Sequence, residues 1–226
     1  GSEMCIRDSN ELLAAGTHGV WKSSDGGDNW TMVIDSMISD IERDPANPNV
    51  LYASSGYRVT LEAGTAGILK STDFGDTWTI LPSGIPGTGQ AQRTELAISS
   101  ADPNYIYAIV CNLEGGLFGF YRSTNAGASW NLMSNSPNIL HWSDGTGSNN
   151  GQGWYDLAIA VDPNNRDRVY IGGINVWGSD DGGATWDGMT YWRNTFGKSI
   201  HADQHFFAWQ PGTDKLFVCN DGGLYV

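Results

Sequence analysis

The chain has 226 residues and a formal net charge of −13, from 25 acids against 12 lysines and arginines. That length allows one sizeable core or two small ones, and a charged fraction of only 16% argues against a disordered chain. The acidic balance argues against a nucleic-acid surface, which needs a basic face to displace counterions, and no apolar run approaches the roughly 20 residues of a bilayer span.

The first nine residues, GSEMCIRDS, fit none of the patterning that follows. They resemble the translated adapter strings found at the edges of environmental reads, so Gly1–Ser9 is expected to be non-native. Three cysteines, Cys5, Cys111 and Cys219, are too few and too scattered for a disulfide framework. The rest of the chain is built from short β-rich runs. Glu11–Ala15 and Gly19–Lys22 open it, followed by an octapeptide, Ser23–Trp30 (SSDGGDNW). The order recurs with Val50–Ala53, Gly67–Lys70 and Ser71–Trp78 (STDFGDTW), then Tyr105–Val110, Gly119–Arg122 and Ser123–Trp130 (STNAGASW). It recurs again with Arg168–Ile171, Asn175–Gly178 and Ser179–Trp186 (SDDGGATW), and a fifth round begins with Lys215–Val218 and Gly223–Val226.

The octapeptides start 48, 52 and 56 residues apart and share the pattern S-x-D-x-G-x-x-W, with Asn125 in place of Asp in the third. Such a pattern is a hairpin turn. The Asp accepts hydrogen bonds from nearby backbone N–H groups, the Gly takes a positive φ, and the Trp anchors the returning strand. The octapeptides resemble the Asp-box, or bacterial neuraminidase repeat, in which these residues are structural. Asp25, Asp73, Asn125 and Asp181 therefore have no chemistry assigned to them, nor do Trp30, Trp78, Trp130 and Trp186.

Pro/Asn/Asp turns such as Asp162–Asn165 precede most of the runs, and a further strand leads into each turn, clearest in Asp156–Val161. Each unit is thus four antiparallel strands, A to D, with the octapeptide as the C–D turn. Four-stranded units of this length predict β-propeller blades. The expected fold is all-β. Residues 10–226 form an incomplete arc of about four to five blades, cut at both ends, in which the first blade lacks strand A.

Two connections from a D strand to the next A strand are long, about 131–153 and 187–202, and loops of that length inside a compact domain are usually functional. Trp142, Trp154, Tyr155, Tyr191 and Trp192 lie on or beside them, with Asn149, Asn150, Gln152 and Asn194. Rings and amides with few charges suit sugars, which offer apolar faces and hydroxyl edges; filling of the loops' own cores is the competing explanation. Aligned on the A strand, the blades also give one acid each: Asp40, Glu95, Asp156 and Asp203. Such acids could bind a cation or polyol, form a general acid/base pair, or serve the turns alone. In His201-Ala-Asp203-Gln-His205, strand geometry would put alternate side chains on one face. It would also set the two histidines about 13 Å apart at about 3.3 Å per residue, so no metal site and no cofactor are expected.

Gly151–Pro163 (GQGWYDLAIAVDP), His201–His205 (HADQH) and Asn220–Gly223 (NDGG) together resemble secreted bacterial Asp-box propellers, grouped with sortilin-type domains or named as glycosyl hydrolases. The resemblance covers about Asn10 to Val226. It implies a secreted or cell-surface bacterial protein. A sialidase would need an arginine cluster, and the eight arginines are scattered. Xyloglucan-cleaving endoglucanases carry acids at A-strand entries, a position that Asp156 resembles, with Asp40 as another candidate; if the protein is a glycoside hydrolase, Asp156 and Asp203 are taken as the catalytic pair. Sortilin-type domains catalyse nothing, and similar boxes occur in photosynthetic assembly-factor propellers. The favoured expectation is a non-catalytic binding propeller for a polysaccharide or a protein or peptide. Its ligand would be held by Trp142, Trp154, Tyr155, Asp156, Tyr191, Trp192, His201, Asp203 and His205.

Overall fold

The computed structural model describes residues 3–6, 10–55, 67–82, 84–85, 90–143, 145–193 and 199–226, the first of these as backbone only. Asn194 lies outside them. The described residues form nineteen strands and no helix. Five antiparallel sheets follow one another along the chain. The first is β1 (Glu3–Ile6), β2 (Leu12–Gly16), β3 (Gly19–Ser23) and β4 (Thr31–Ile34). The second is β5 (Ile38–Arg43), β6 (Leu51–Ser55), β7 (Ile68–Ser71) and β8 (Thr79–Ile80). The third is β9 (Ala91–Ile98), β10 (Ile106–Asn112), β11 (Leu117–Ser123) and β12 (Asn131–Ser134). The fourth is β13 (Ala158–Asp162), β14 (Asn165–Gly172), β15 (Val176–Ser179) and β16 (Asp187–Thr190). The fifth has three strands, β17 (Gln204–Trp209), β18 (Leu216–Asn220) and β19 (Gly223–Tyr225). Each sheet runs in simple meander order, and its first strand packs against the first strand of the next sheet. This is the blade arrangement of an incomplete β-propeller.

One expectation is corrected here. The first blade does not lack its A strand: Glu3–Ile6 pairs with Leu12–Ala15 in the antiparallel register Glu3↔Ala15 to Ile6↔Leu12. The free backbone edge of β2 accepts any short extended segment, whatever its side-chain pattern.

The core lies between blades. Strand β10 shows why the sequence supports it. Ile106, Ala108 and Val110 face the second blade with Tyr52 and Ile68, while Tyr107, Ile109 and Cys111 face the fourth with Val169, Ile171 and Trp177. A strand covered on both sides is apolar at every position instead of alternating. Tyrosines on the second strands stitch blades together: the Tyr52 hydroxyl donates to the Ala126 carbonyl at 3.0 Å and the Tyr107 hydroxyl to the Arg166 carbonyl at 2.6 Å. Cys111 is buried and Cys219 half-buried, both as free thiols, and burial pushes the Cys111 thiol up to about 12.

The four octapeptide turns share one hydrogen-bond pattern. In the second, the Ser71 hydroxyl donates to Asp73 at 2.7 Å and accepts the Gly75 N–H at 2.8 Å, and Asp73 accepts the Thr77 N–H at 2.9 Å. Asn125 reproduces the acceptor role, taking the Ser129 N–H at 2.9 Å. Two successive residues of each turn have positive φ, and the first is not always glycine: Phe74 and Ala126 sit at 53° and 54°. A non-glycine residue resists that region. Phe74 is held there because its ring is fully buried in the core between the first two blades.

Candidate functional site

The A strands and the long loops converge at one end of the arc, and the four aligned acids separate there into two kinds. Asp40 is buried and accepts the Leu96 N–H at 2.7 Å, which ties β5 to β9. Glu95 pairs with Arg93 at 2.7 Å. These two serve the scaffold. Asp156 is fully buried, yet neither carboxylate oxygen finds a hydrogen-bond partner. The group facing it is the Asp203 carboxyl, so a hydrogen bond between the two exists only while one of them holds a proton. Burial first, then the Asp203 charge and that shared hydrogen bond, push the Asp156 carboxyl up to about 8. A carboxyl in this state remains protonated through neutral pH.

The backbone around Asp156 is fixed from several sides. Gln152 turns the chain, its carbonyl accepting the N–H groups of Tyr155 at 2.7 Å and Asp156 at 3.0 Å. The Arg93 guanidinium donates to the carbonyls of Tyr155 at 2.9 Å and Leu157 at 3.3 Å. The β10–β11 hairpin docks onto the same loop, with the Gly153 N–H on the Gly115 carbonyl at 2.9 Å. Gly115 has a φ of 85°, and a Cβ there would fall 2.9 Å from the Trp154 ring, so only glycine allows this approach.

Asp203 has a φ of 65°. The expectation that residues 201 to 205 form one extended run is therefore corrected. β17 begins only at Gln204, and a bulge between Gln204 and Phe206 turns His205 out of the ladder. Gln204 enforces the bend: its side chain is fully buried, donates to the His201 carbonyl at 2.8 Å and accepts from Asn220 at 3.1 Å. The bend places His205 Nε2 at 2.7 Å from Asp221, whose carboxylate also accepts the Tyr155 hydroxyl at 3.2 Å. The His205 hydrogen bond first, with Tyr155 and the nearby His201 assisting, holds the Asp221 carboxyl below the usual range. The Tyr155 and His205 rings meet edge to face at 5.0 Å, and Trp154 lies 5.9 Å from Tyr155. Trp154 is 55% and Tyr155 44% exposed.

Trp154, Tyr155, Asp156, His201, Asp203 and His205 are thus brought together. Trp142 and Trp192 form a second group. Trp192 donates through its indole nitrogen to the Trp142 carbonyl at 3.1 Å and through its backbone to Asn175 at 3.1 Å. Tyr191 joins neither, because its ring packs edge-on against Trp177 as a satellite of the core. Sequence reasoning left out Arg93 and did not name Asp221 as a site residue. The alternation of Arg93 and Glu95 on one strand is the signal that marks the first. Only the fold brings Asp221 to Tyr155, 66 residues away. A cavity of about 50 Å3 lies between the A strands, lined by Asp40, Glu42, Glu95 and His205 among others; it is too small for a sugar ring.

No protein-family model matches the chain, and no curated protein does. Solved structures do. An ancestral GH74 enzyme superposes with a TM-score of 0.65 at 16% identity over 96% of this chain and 28% of its own. The GH74 enzyme of Niastella koreensis gives 0.65 at 19% identity, over 94% and 32%. YCF48 from Cyanidioschyzon merolae gives 0.56 at 18%, over 98% and 65%. The chain spans about a third or less of the two GH74 enzymes. Identities this low establish the fold alone: an all-β propeller arc.

Proposed function

We propose that this arc is the glycan-binding part of a secreted bacterial Asp-box propeller, with the ligand seated on Trp154 and Tyr155 beside Asp203, His205 and Asp221. The observation that carries the reading is the exposed Trp154–Tyr155 pair on a loop fixed by Arg93 and by the β10–β11 hairpin. Open rings on a rigid support suit the C–H face of a pyranose, and the adjoining carboxylates and imidazole suit its hydroxyl edge. The shared Ser–Asp–Gly hydrogen bonds of the four turns support the Asp-box assignment. Likeness to GH74 enzymes supports a carbohydrate ligand by analogy of fold.

A glycoside hydrolase is the second reading, and one observation favours it. Asp156 holds its proton at neutral pH, as a general acid must. A glycosidase needs a second carboxyl about 5–9.5 Å from the acid, and the candidate for it is Asp203, whose charge raises the Asp156 value. In this reading Asp156 is the acid, and Asp203 is the more accessible carboxyl beside it. Incubation with a panel of plant and bacterial polysaccharides separates the readings. Binding without reducing-end release supports the binding propeller. Release lost in Asp156→Asn and Asp203→Asn supports the hydrolase. Neither binding nor release from any member removes both.

A further inference from the structure

We propose that Arg193, which lies against the indoles of Trp142 and Trp192, reads the carboxylate of an acidic sugar unit. This inference rests on the glycan-binding reading and names the class of glycan.

The Arg193 guanidinium carbon lies 4.9 Å from the Trp142 ring centre and 4.5 Å from that of Trp192. Both residues are exposed, at 46% and 40%, and the Trp192 indole is fixed by its bond to the Trp142 carbonyl. Buried Asn175 accepts the Trp192 N–H and donates to the carbonyls of Trp142 and Ser143, so one side chain from the β14–β15 turn fastens the two long loops together. The same turn reaches the Asp203 bend, where the Gln204 N–H donates to the Gly173 carbonyl at 2.9 Å.

Arg193 differs in its contacts from four other arginines of the chain. Arg93, Arg122, Arg166 and Arg168 each pair with a carboxylate. Among the described residues Arg193 has no carboxylate partner; its contacts are the two rings. Indole faces attract a guanidinium through its face and satisfy none of its N–H donors. Those donors point outward in the guanidinium plane, and their spacing matches a carboxylate bidentately. Contact with two rings restricts the side chain before any ligand arrives, which reduces the freedom lost on binding. Long-range attraction is not the driving force, since the chain carries −13. Charges farther than about 8 Å are largely screened at physiological salt, and a preference for an acidic ligand would have to come from local contact.

The test uses a matched pair of probes, polygalacturonate and its fully methyl-esterified form, which differ only in the carboxylate. Titration calorimetry at physiological salt should show the acid bound roughly ten- to a hundredfold more tightly than the ester, the range of a charge-assisted hydrogen bond. Arg193→Gln should abolish the difference and leave ester binding unchanged. Arg193→Lys, which keeps the charge without the fork, should recover only a small part of it. Equal affinity for acid and ester, or an acid preference that survives Arg193→Gln, overturns the proposal while glycan binding stands. If neither probe binds and neutral polysaccharides fail as well, glycan binding itself falls, and this proposal with it. If neutral polysaccharides bind but polygalacturonate does not, only the acidic subsite is overturned.

Discussion

Arg93 grips the backbone on both sides of Asp156. One guanidinium nitrogen meets the carbonyl before the aspartate and another the carbonyl after it, while Nε is held by Glu95. A cation from the third blade thereby sets the position of an acid on the way into the fourth. Both members of the Arg93–Glu95 pair are mostly buried. Breaking such a pair leaves one charge uncompensated and costs about 3–5 kcal/mol. Arg93→Met should lower stability by about that much in denaturant titration. It should also weaken glycan binding, because Trp154 and Tyr155 lose their support.

Stability should depend on pH from both directions. The folded-state value of Asp156, about 8, lies above the ordinary carboxylate value. Its contribution is fully present below about pH 4 and is lost as pH rises through 8, because the unfolded chain releases the proton first. Asp25 and Asp73 act in the opposite sense. Each is held at about 2, Asp25 chiefly by hydrogen bonds from Asn29 and Asp73 by bonds from Thr77 and Ser71 that outweigh the opposing effect of burial. Their contribution is present above about pH 4 and is lost as pH falls through 2, and it is small because both groups are solvent-screened. Melting temperature should therefore decline from about pH 5 to pH 8. Asp156→Asn, which cannot ionise, should flatten that limb and leave the acid limb unchanged.

The octapeptide turns predict opposite signs for two substitutions at one position of the repeat. Ala126 sits at a φ of 54° with little side chain to justify it, so Ala126→Gly should stabilise the fold by up to about 1 kcal/mol. Phe74 has nearly the same φ but fills the core between the first two blades. Phe74→Ala should cost about 3–5 kcal/mol. Denaturant midpoints of the two variants check both signs.

Much of the architecture was legible because it repeats. The Ser–Asp–Gly–Trp turns, with Asn125 for Asp in the third, recur in every complete blade, and runs such as Ile106–Cys111 are apolar at every position, as strands buried on both faces must be. The site was legible only in part. Alignment could place one acid at each A strand, but it could not show that Asp40 and Glu95 meet partners while Asp156 and Asp203 meet each other. That distinction comes from Leu96 N–H and Arg93, which belong to the third blade. Period-two reasoning failed at Asp203 because Gln204, buried and bonded to His201 and Asn220, forces a left-handed residue there. The A strand of the first blade was missed because backbone pairing does not require a side-chain pattern.

The central claim is that Trp154 and Tyr155 form a sugar platform, and the most direct measurement is titration of the wild-type protein and Trp154→Ala with polysaccharides that the wild type binds. The side chain is 55% exposed, so its removal should leave the melting temperature within a few degrees of wild type. Affinity should fall by about tenfold or more, since one stacked aromatic ring is worth about 1–3 kcal/mol. Undiminished affinity in a folded Trp154→Ala variant would contradict the account and move the ligand site away from this loop.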